Sequence, residues 1–368
     1  MNWMITVPVQ VEPRPYEVRI KNDLLAQAGE ILRELFPQRA RLFVITVAPV
    51  RRRWGKLLQR SLIGAKFEPT FIEMPEGERF KRLATVENLS EKLSKLGADR
   101  DAIVLAFGGG VAGDVGGLVA SLFMRGVEFV QIPTTVLAQV DASIGGKTGV
   151  NLTTGKNLVG TFHQPRVVLI DPQVLSSLPE REYRAGLYEA LKAGIIGDPA
   201  LFAEFEQNQE LIDRRDETTI ERLIAASVKL KAKVVSADER ENGVRRVLNL
   251  GHTIGHALEA ETAYKKLLHG EAVAWGMVGV ARLAADLGRL DSKTADRIVN
   301  ATLSLGPLPK VDVRSSNIVK RLTADKKTRA GRVHFILPLE IGRVEVVDNI
   351  PETAVRKAVD DMRRLSLS

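Results

Sequence analysis

Three of the five histidines of this 368-residue chain fall in one short stretch, Asn249–Glu271, NLGHTIGHALEAETAYKKLLHGE. His252 and His256 are four apart, so on a helix they share a face. His-x-x-x-His is a metal spacing, and His269 strengthens it, because neutral imidazole is a good zinc ligand. The alternative is ordinary polar histidines; for the cluster we take the metal reading. No Glu follows His252 in an HExxH pattern, so a metalloprotease helix is not supported.

A second set lies in Phe107–Asn157. An apolar run from Asp101 to Phe107 ends in Gly108-Gly109-Gly110, and a helix-like, proline-free run follows over Val111–Met124. Strand, glycine turn and helix point free backbone N–H groups at an anion. Gly108, Gly110 and Gly113 fit G-x-G-x-x-G, a nucleotide-binding hint that a plain glycine turn would also satisfy. It departs from the usual dinucleotide fingerprint: the first strand does not carry it, and Glu128, about 20 residues on, opens a strand. Further along, Asp141-Ala142-Ser143-Ile144-Gly145-Gly146-Lys147, then Asn151, Lys156 and Asn157, read as a cationic, hydrogen-bonding loop suited to phosphate or carboxylate. A solvated loop is the alternative.

Some charged residues sit oddly. Lys231 falls on the apolar stripe Ile220, Leu223, Ile224, Val228, Val234, Val235, where it needs a partner or an anion, or snorkels to the edge. Glu189 and Lys192 read as a surface ion pair. Asp325-Lys326-Lys327 reads as a charged loop.

The length suggests about two domains. With 45% apolar and 27% charged residues, composition is that of an ordinary globular chain. There is no cysteine, which excludes disulfides and thiolate metal sites and fits a reducing compartment. The N-terminal residues lack the charged and apolar regions of a signal peptide, and no apolar run reaches the roughly 18 residues of a membrane span. The net charge of +8 suits a small anionic substrate; on charge alone a nucleic-acid partner is the rival reading.

Strands are expected at 4–11, 16–20, 41–46, 67–74, 101–107, 127–132 and 166–170, with helices at 24–36, 50–62, 85–96 and 111–124. That alternation predicts a parallel sheet with helices on its faces. After Asp171-Pro172 nearly every segment reads as helix: 180–196, 199–210, 218–237, 253–263, 271–287, 292–303 and 352–365, with one hairpin at 333–347. The expectation is an α/β Rossmann-like domain, 1–175, and a mostly helical domain, 176–368, with a ligand cleft between them.

FGGGVAGDVGG, MRGVEFVQIPTTVLAQVDASIGGKTGVN, GKNLVGTFHQP, EALKAGII, KAKVVSADER, LNLGHTIGHALE and LHGEAVAWGM together resemble 3-dehydroquinate synthases, from about Glu73 to Asp348. The resemblance implies a cytoplasmic homodimer of the shikimate pathway to aromatic amino acids. It implies NAD and a divalent metal, zinc first and cobalt second, with an anionic sugar-phosphate substrate and neither nucleic acid nor membrane as partner. The implied reaction takes 3-deoxy-D-arabino-heptulosonate 7-phosphate to 3-dehydroquinate and phosphate, by transient oxidation, elimination, re-reduction and intramolecular aldol closure. The substrate's own phosphate takes the proton in the elimination.

The roles implied residue by residue are as follows. Gly108, Gly109, Gly110, Gly113 and Asp114 hold the NAD pyrophosphate and nicotinamide side; Glu78 and Lys81 face the adenosine ribose; Thr134 and Thr135 line the cofactor, and Asp141, Lys147 and Lys156 border it. Glu189, His252 and His269 are the metal ligands, which makes His256 a substrate-side group. Asp141, Lys147, Lys156, Asn157, Lys192, Lys231, Arg245, Asn249 and His256 line the substrate pocket, and the anionic substrate is the partner that Lys231 needs. Arg125 reaches the phosphate across the dimer, and Lys326 or Lys327 closes over it. Leu187-Tyr188 and Ala193 depart from the commoner residues beside the site. Rival readings are a sibling sugar-phosphate cyclase and a metal-dependent polyol dehydrogenase.

Overall fold

A computed structural model describes residues 3–328 and 333–367, with backbone alone for 323–328. In chain order the first elements are β1 (Ile5–Val9), β2 (Tyr16–Ile20), α1 (Leu24–Leu35), β3 (Arg41–Val47), α2 (Ala48–Gly64), β4 (Glu68–Met74), α3 (Leu83–Lys95), β5 (Ile103–Gly108), α4 (Gly110–Leu122), β6 (Glu128–Pro133), β7 (Lys147–Leu152), β8 (Gly155–Phe162) and β9 (Val167–Ile170). There follow α5 (Glu180–Gly197), α6 (Pro199–Gln207), α7 (Gln209–Asp213), α8 (Glu217–Ala237), α9 (His252–Glu261), α10 (His269–Asp286), α11 (Ser292–Ser304), α12 (Ser315–Thr328), β10 (His334–Glu340), β11 (Arg343–Asp348) and α13 (Glu352–Leu367).

The chain divides into two compact units. One comprises residues up to Pro179 plus Glu217–Arg240; the other comprises Glu180–Asp216 and the chain from Glu241. The sequence put the boundary near 175 and gave α8 to the helical part. The difference is α8, which packs on β1 and β2. Ser236 Oγ accepts from the Gln10 N–H at 2.8 Å, and Glu221 accepts from Asn22 at 3.0 Å. An apolar stripe names the side of a helix that is buried but not what buries it.

The first unit holds a seven-stranded sheet, order β1-β2-β9-β6-β5-β3-β4, parallel except for β1 against β2. Strands β3 and β5 are continuous apolar runs, as expected when helices cover both faces. Phe43, Ile45, Val104 and Ala106 pack in one core with Val86, Leu89 and Leu93 of α3 and Val115, Leu118 and Val119 of α4. Burying each large side chain stabilises by about 1.5–3 kcal/mol. After β3 the chain moves outward to β4; after β5 it moves the other way, to β6. The carboxyl ends of β3 and β5 therefore form a switch point, where open α/β sheets bind ligands, and the turn Gly108–Gly110 sits there.

Two segments differ from expectation. The presumed cationic loop from Lys147 to Asn157 is an antiparallel hairpin, with Lys147 opposite Phe162 and Leu152 opposite Gly155. The segment around Asp325 belongs to helix α12 and is not a loop.

Asp171, at the end of β9, is buried. Its carboxylate accepts backbone N–H bonds from Leu25, Gln173 and Asp23 at 3.0, 3.0 and 3.2 Å. Burial pushes its pKa up to about 6 against those bonds.

In the second unit α10 is the central helix, in contact with α5, α9, α11, α13 and β10. Its sequence, HGEAVAWGMVGVARLAAD, is apolar nearly all round because it is buried on nearly every side. No helix among the described residues is long and apolar enough to cross a membrane.

Candidate active site

In the second unit, α5 is buried from Ala185 to Ile196, so Glu189 and Lys192 are both inside. Their ion pair is thus an interior one, not the surface pair the spacing suggested. Glycines set how near α10 comes. A Cβ at Gly270 would lie 1.8 Å from the Ala185 carbonyl oxygen of α5. One at Gly276 would lie 1.9 Å from the Gly251 oxygen, just before α9. Only glycine permits those approaches, and they bring three helices together at one point. Glu189 Oε1 lies 3.7 Å from His269 Nε2 and 3.9 Å from His252 Nε2.

The first turn of α10 is held by Glu271, whose carboxylate accepts from the Leu268 N–H at 2.7 Å and from Arg181 at 2.7 and 2.8 Å. That anchors His269, the first residue of the helix. His252 Nδ1 lies 3.1 Å from the Leu250 carbonyl. A carbonyl only accepts, so Nδ1 carries the proton and the Nε2 lone pair faces Glu189. Burial first, then Lys192, His269 and His256, hold the His252 pKa well below 6.5, so the ring is neutral at physiological pH. Glu189 Oε1 is buried with no hydrogen-bond partner. A buried carboxylate oxygen facing two imidazole nitrogens is costly unless a cation sits among them. The set therefore fits a divalent metal, and its N and O donors suit zinc. His256 is exposed, but its ring nitrogen lies within 4.8 Å of those of His252 and His269. Spacing made it the partner of His252; Glu189, from a distant helix, supplies the other candidate.

Arg245 is buried in the short helical turn Val244–Asn249. Asn249 donates to Glu241 Oε1 at 2.5 Å. Glu241 and Glu271 are residues that sequence reading missed. LHGE carries a signal for Glu271, an acidic residue at the third position of a helix; nothing local signals Glu241.

In the first unit, Lys231 of α8 donates to the Asp141 carboxylate and to its carbonyl, both at 2.6 Å. The partner assigned to this buried lysine was the substrate; the structure supplies Asp141, in the irregular turn Ala138–Ala142. Lys81 is buried, 2.5 Å from Asp114 and 2.5 Å from Asn157 Oδ1. Burial works against its charge, but the Asp114 and Glu78 carboxylates outweigh that and raise its pKa above 10.5. Glu78 accepts from Asn151 at 2.7 Å, and Asn151 accepts from the Asn157 N–H at 2.9 Å. Residues set apart for ribose and substrate thus form one network.

The glycine turn meets Thr135, whose methyl would lie 2.9 Å from a Cβ on Gly109. Gly109 is the N-cap of α4 and supplies no side-chain cap, so the first-turn N–H groups are left for an anion. Gly113 lies against Gln131, where a Cβ would be 2.7 Å from Oε1. Thr134 Oγ1 is buried without a hydrogen-bond partner. Uncapped N–H groups, a cradle closed to Cβ atoms and an unsatisfied hydroxyl fit a dinucleotide phosphate. Lys147 and Lys156 sit near opposite ends of the hairpin, roughly 13 Å apart along the strand, so they do not form one charge cluster. Arg125 is exposed, in the left-handed region at φ 68°. The side chains of Lys326 and Lys327 lie outside the described residues.

A parallel sheet with a glycine turn at its switch point, together with a mostly helical unit, is the architecture of the sugar-phosphate cyclases. Over 99% of this chain and all of the other, the fold matches 2-epi-5-epi-valiolone synthase from Streptomyces hygroscopicus subsp. jinggangensis 5008 with NAD⁺ and Zn²⁺ bound, at TM-score 0.87 and 28% identity. It matches 2-deoxy-scyllo-inosose synthase complexed with carbaglucose-6-phosphate, NAD⁺ and Co²⁺ at TM-score 0.86 and 25% identity, over 97% of this chain and all of the other. Within that class, residues 71–185 match the 3-dehydroquinate synthase N-terminal family and residues 186–328 the C-terminal family. The 3-dehydroquinate synthase of Koribacter versatilis (strain Ellin345) is 54% identical over 99% of both chains. The chain belongs to the 3-dehydroquinate synthase family.

Proposed function

We propose that this chain converts 3-deoxy-D-arabino-heptulosonate 7-phosphate to 3-dehydroquinate and phosphate, using NAD and a divalent metal, zinc first. One observation carries the choice among cyclases: relatives named for this reaction are 40–54% identical, whereas the cyclases of other carbocycles are 25–28% identical. The bound groups supply a reversible hydride acceptor and a Lewis acid; the residues position and neutralise. Glu189, His252 and His269 are the metal ligands, a reading supported by the approach of Glu189 Oε1 to both imidazoles. The glycine turn and Thr134 hold the dinucleotide phosphates, and Lys81 with Asp114 orders the loop beside them. Lys231, oriented by Asp141, and Lys192, oriented by Glu189, are charge clamps for an anionic substrate, with Arg245, Asn249 and His256. The proton released in the elimination goes to the substrate's own phosphate, so no dedicated carboxylate base is required. A homodimer, with Arg125 reaching the partner's substrate, and a cytoplasmic location complete the reading; the lack of cysteine is consistent with that compartment.

The test is an assay with the heptulosonate phosphate, catalytic NAD and zinc, reading phosphate release and NADH absorbance together. Many turnovers of phosphate with no NADH build-up, lost on chelation, are expected. Phosphate silence with NAD and zinc bound would move the assignment to a sibling cyclase; steady NADH from a polyol would make the chain a dehydrogenase.

A further inference from the structure

Glu259 is not used by the reading above. It lies in α9, seven residues after His252, and is buried to 1% exposure. A carboxylate so deeply placed in a helix is costly unless it answers a specific partner. Glu259 Oε2 lies 3.5 Å from His269 Nδ1. The opposite nitrogen of that ring, Nε2, is the one 3.7 Å from Glu189. His269 thus has a buried carboxylate near each ring nitrogen, at ion-pair distance and outside hydrogen-bond geometry, whereas His252 is held by a hydrogen bond to the Leu250 carbonyl with Glu189 near its other nitrogen.

We propose that Glu259 is a positioning residue for the metal site: it takes the Nδ1 proton of His269 as a hydrogen bond and so fixes the tautomer that leaves the Nε2 lone pair for the metal. The inference rests on the metal reading of the Glu189, His252 and His269 set. Its physical basis is general. A carboxylate behind a ligating imidazole sets the ring's orientation and raises its basicity, and losing it weakens metal affinity by roughly 10–100-fold. The two histidines would then differ. His252 is oriented by a neutral carbonyl two residues away, whereas His269, half-buried at the start of α10, is oriented by a charge from another helix.

The test is zinc affinity, measured by competition with a chromophoric chelator on the full-length apo protein, for wild type, Glu259→Gln and Glu259→Asp. The cobalt-substituted forms supply a visible absorption spectrum that reports ligand geometry, and apo melting curves report folding. Zinc binding 10–100-fold weaker in Glu259→Gln, with an altered cobalt spectrum and an apo melting curve like wild type, is expected. Affinity within twofold of wild type in the folded variant would overturn the proposal. If Glu259→Gln does not fold, Glu259→Asp decides: the carboxylate withdrawn by one methylene should weaken zinc several-fold, and unchanged affinity refutes the role. Wild type that binds no zinc would overturn the metal reading, and this inference with it.

Discussion

The glycine turn of the first unit and the histidine cluster of the second are both places for charge, but they are built by opposite routes. The turn is local: Gly108 to Gly113 follow one another, and one strand–helix junction makes the site. The cluster is distant: Glu189 stands 63 residues before His252 and 80 before His269, and it joins them only because glycines let α10 close on α5 and on the turn before α9. A local site tolerates change elsewhere in the unit; a site at a three-helix junction depends on each packing contact that forms it.

Variants separate the two regions. The largest effect belongs to Glu189→Gln, which removes the carboxylate at the junction. It should abolish stoichiometric zinc and reduce turnover to background; a folded variant that keeps one zinc by metal analysis would sink the ligand assignment. Next is Lys231→Met, which leaves Asp141 without its cation. The expected loss is about 3 kcal/mol in urea unfolding, the low end for removing one partner of an interior pair, with turnover lost as well; unchanged stability would show that the pair is strongly solvated. Smaller still is Gly109→Ala, whose Cβ would press on Thr135. NAD should bind about tenfold more weakly, about 1.4 kcal/mol, while zinc affinity stays at the wild-type value. A parallel fall in zinc affinity would deny that the two regions are independent.

The effect of Asp171 shows as a slope in pH and not as a loss of either site. Its folded pKa stands near 6, above the ordinary 3.8. Between those values the folded state binds more proton than the unfolded one, so stability falls as pH rises from about 4 to 6, by at most about 1.4 kcal/mol per pH unit, and is flat above. Asp171→Asn should remove that slope, as read by melting curves across the window. A slope unchanged in the variant would assign it to other groups.

Much of the alternation was readable because helix and strand leave different apolar periods. Strands β3, β5 and β9 and helices α5, α8 and α10 all stood out from their apolar runs. The β7–β8 hairpin did not, because its exposed face and its glycines and lysines imitate a loop. Helix α12 was masked in the same way by a polar sequence. The glycine turn was visible as a motif, and the resemblance to the family named the remaining site residues. Spacing alone paired His252 with His256, since periodicity compares only neighbours on one helix.

The sequence by itself determined the element types, the glycine turn, the histidine-rich stretch and the family, because each is written in short-range pattern or in ordered blocks of identity. Only the tertiary structure decided that α8 packs with the sheet, that Lys231 meets Asp141, that the Glu189–Lys192 pair is interior, and that Glu189 and Glu259 approach opposite nitrogens of His269. Those facts depend on which surfaces pack together, and packing is set by the shape of whole elements, which no local window of residues contains.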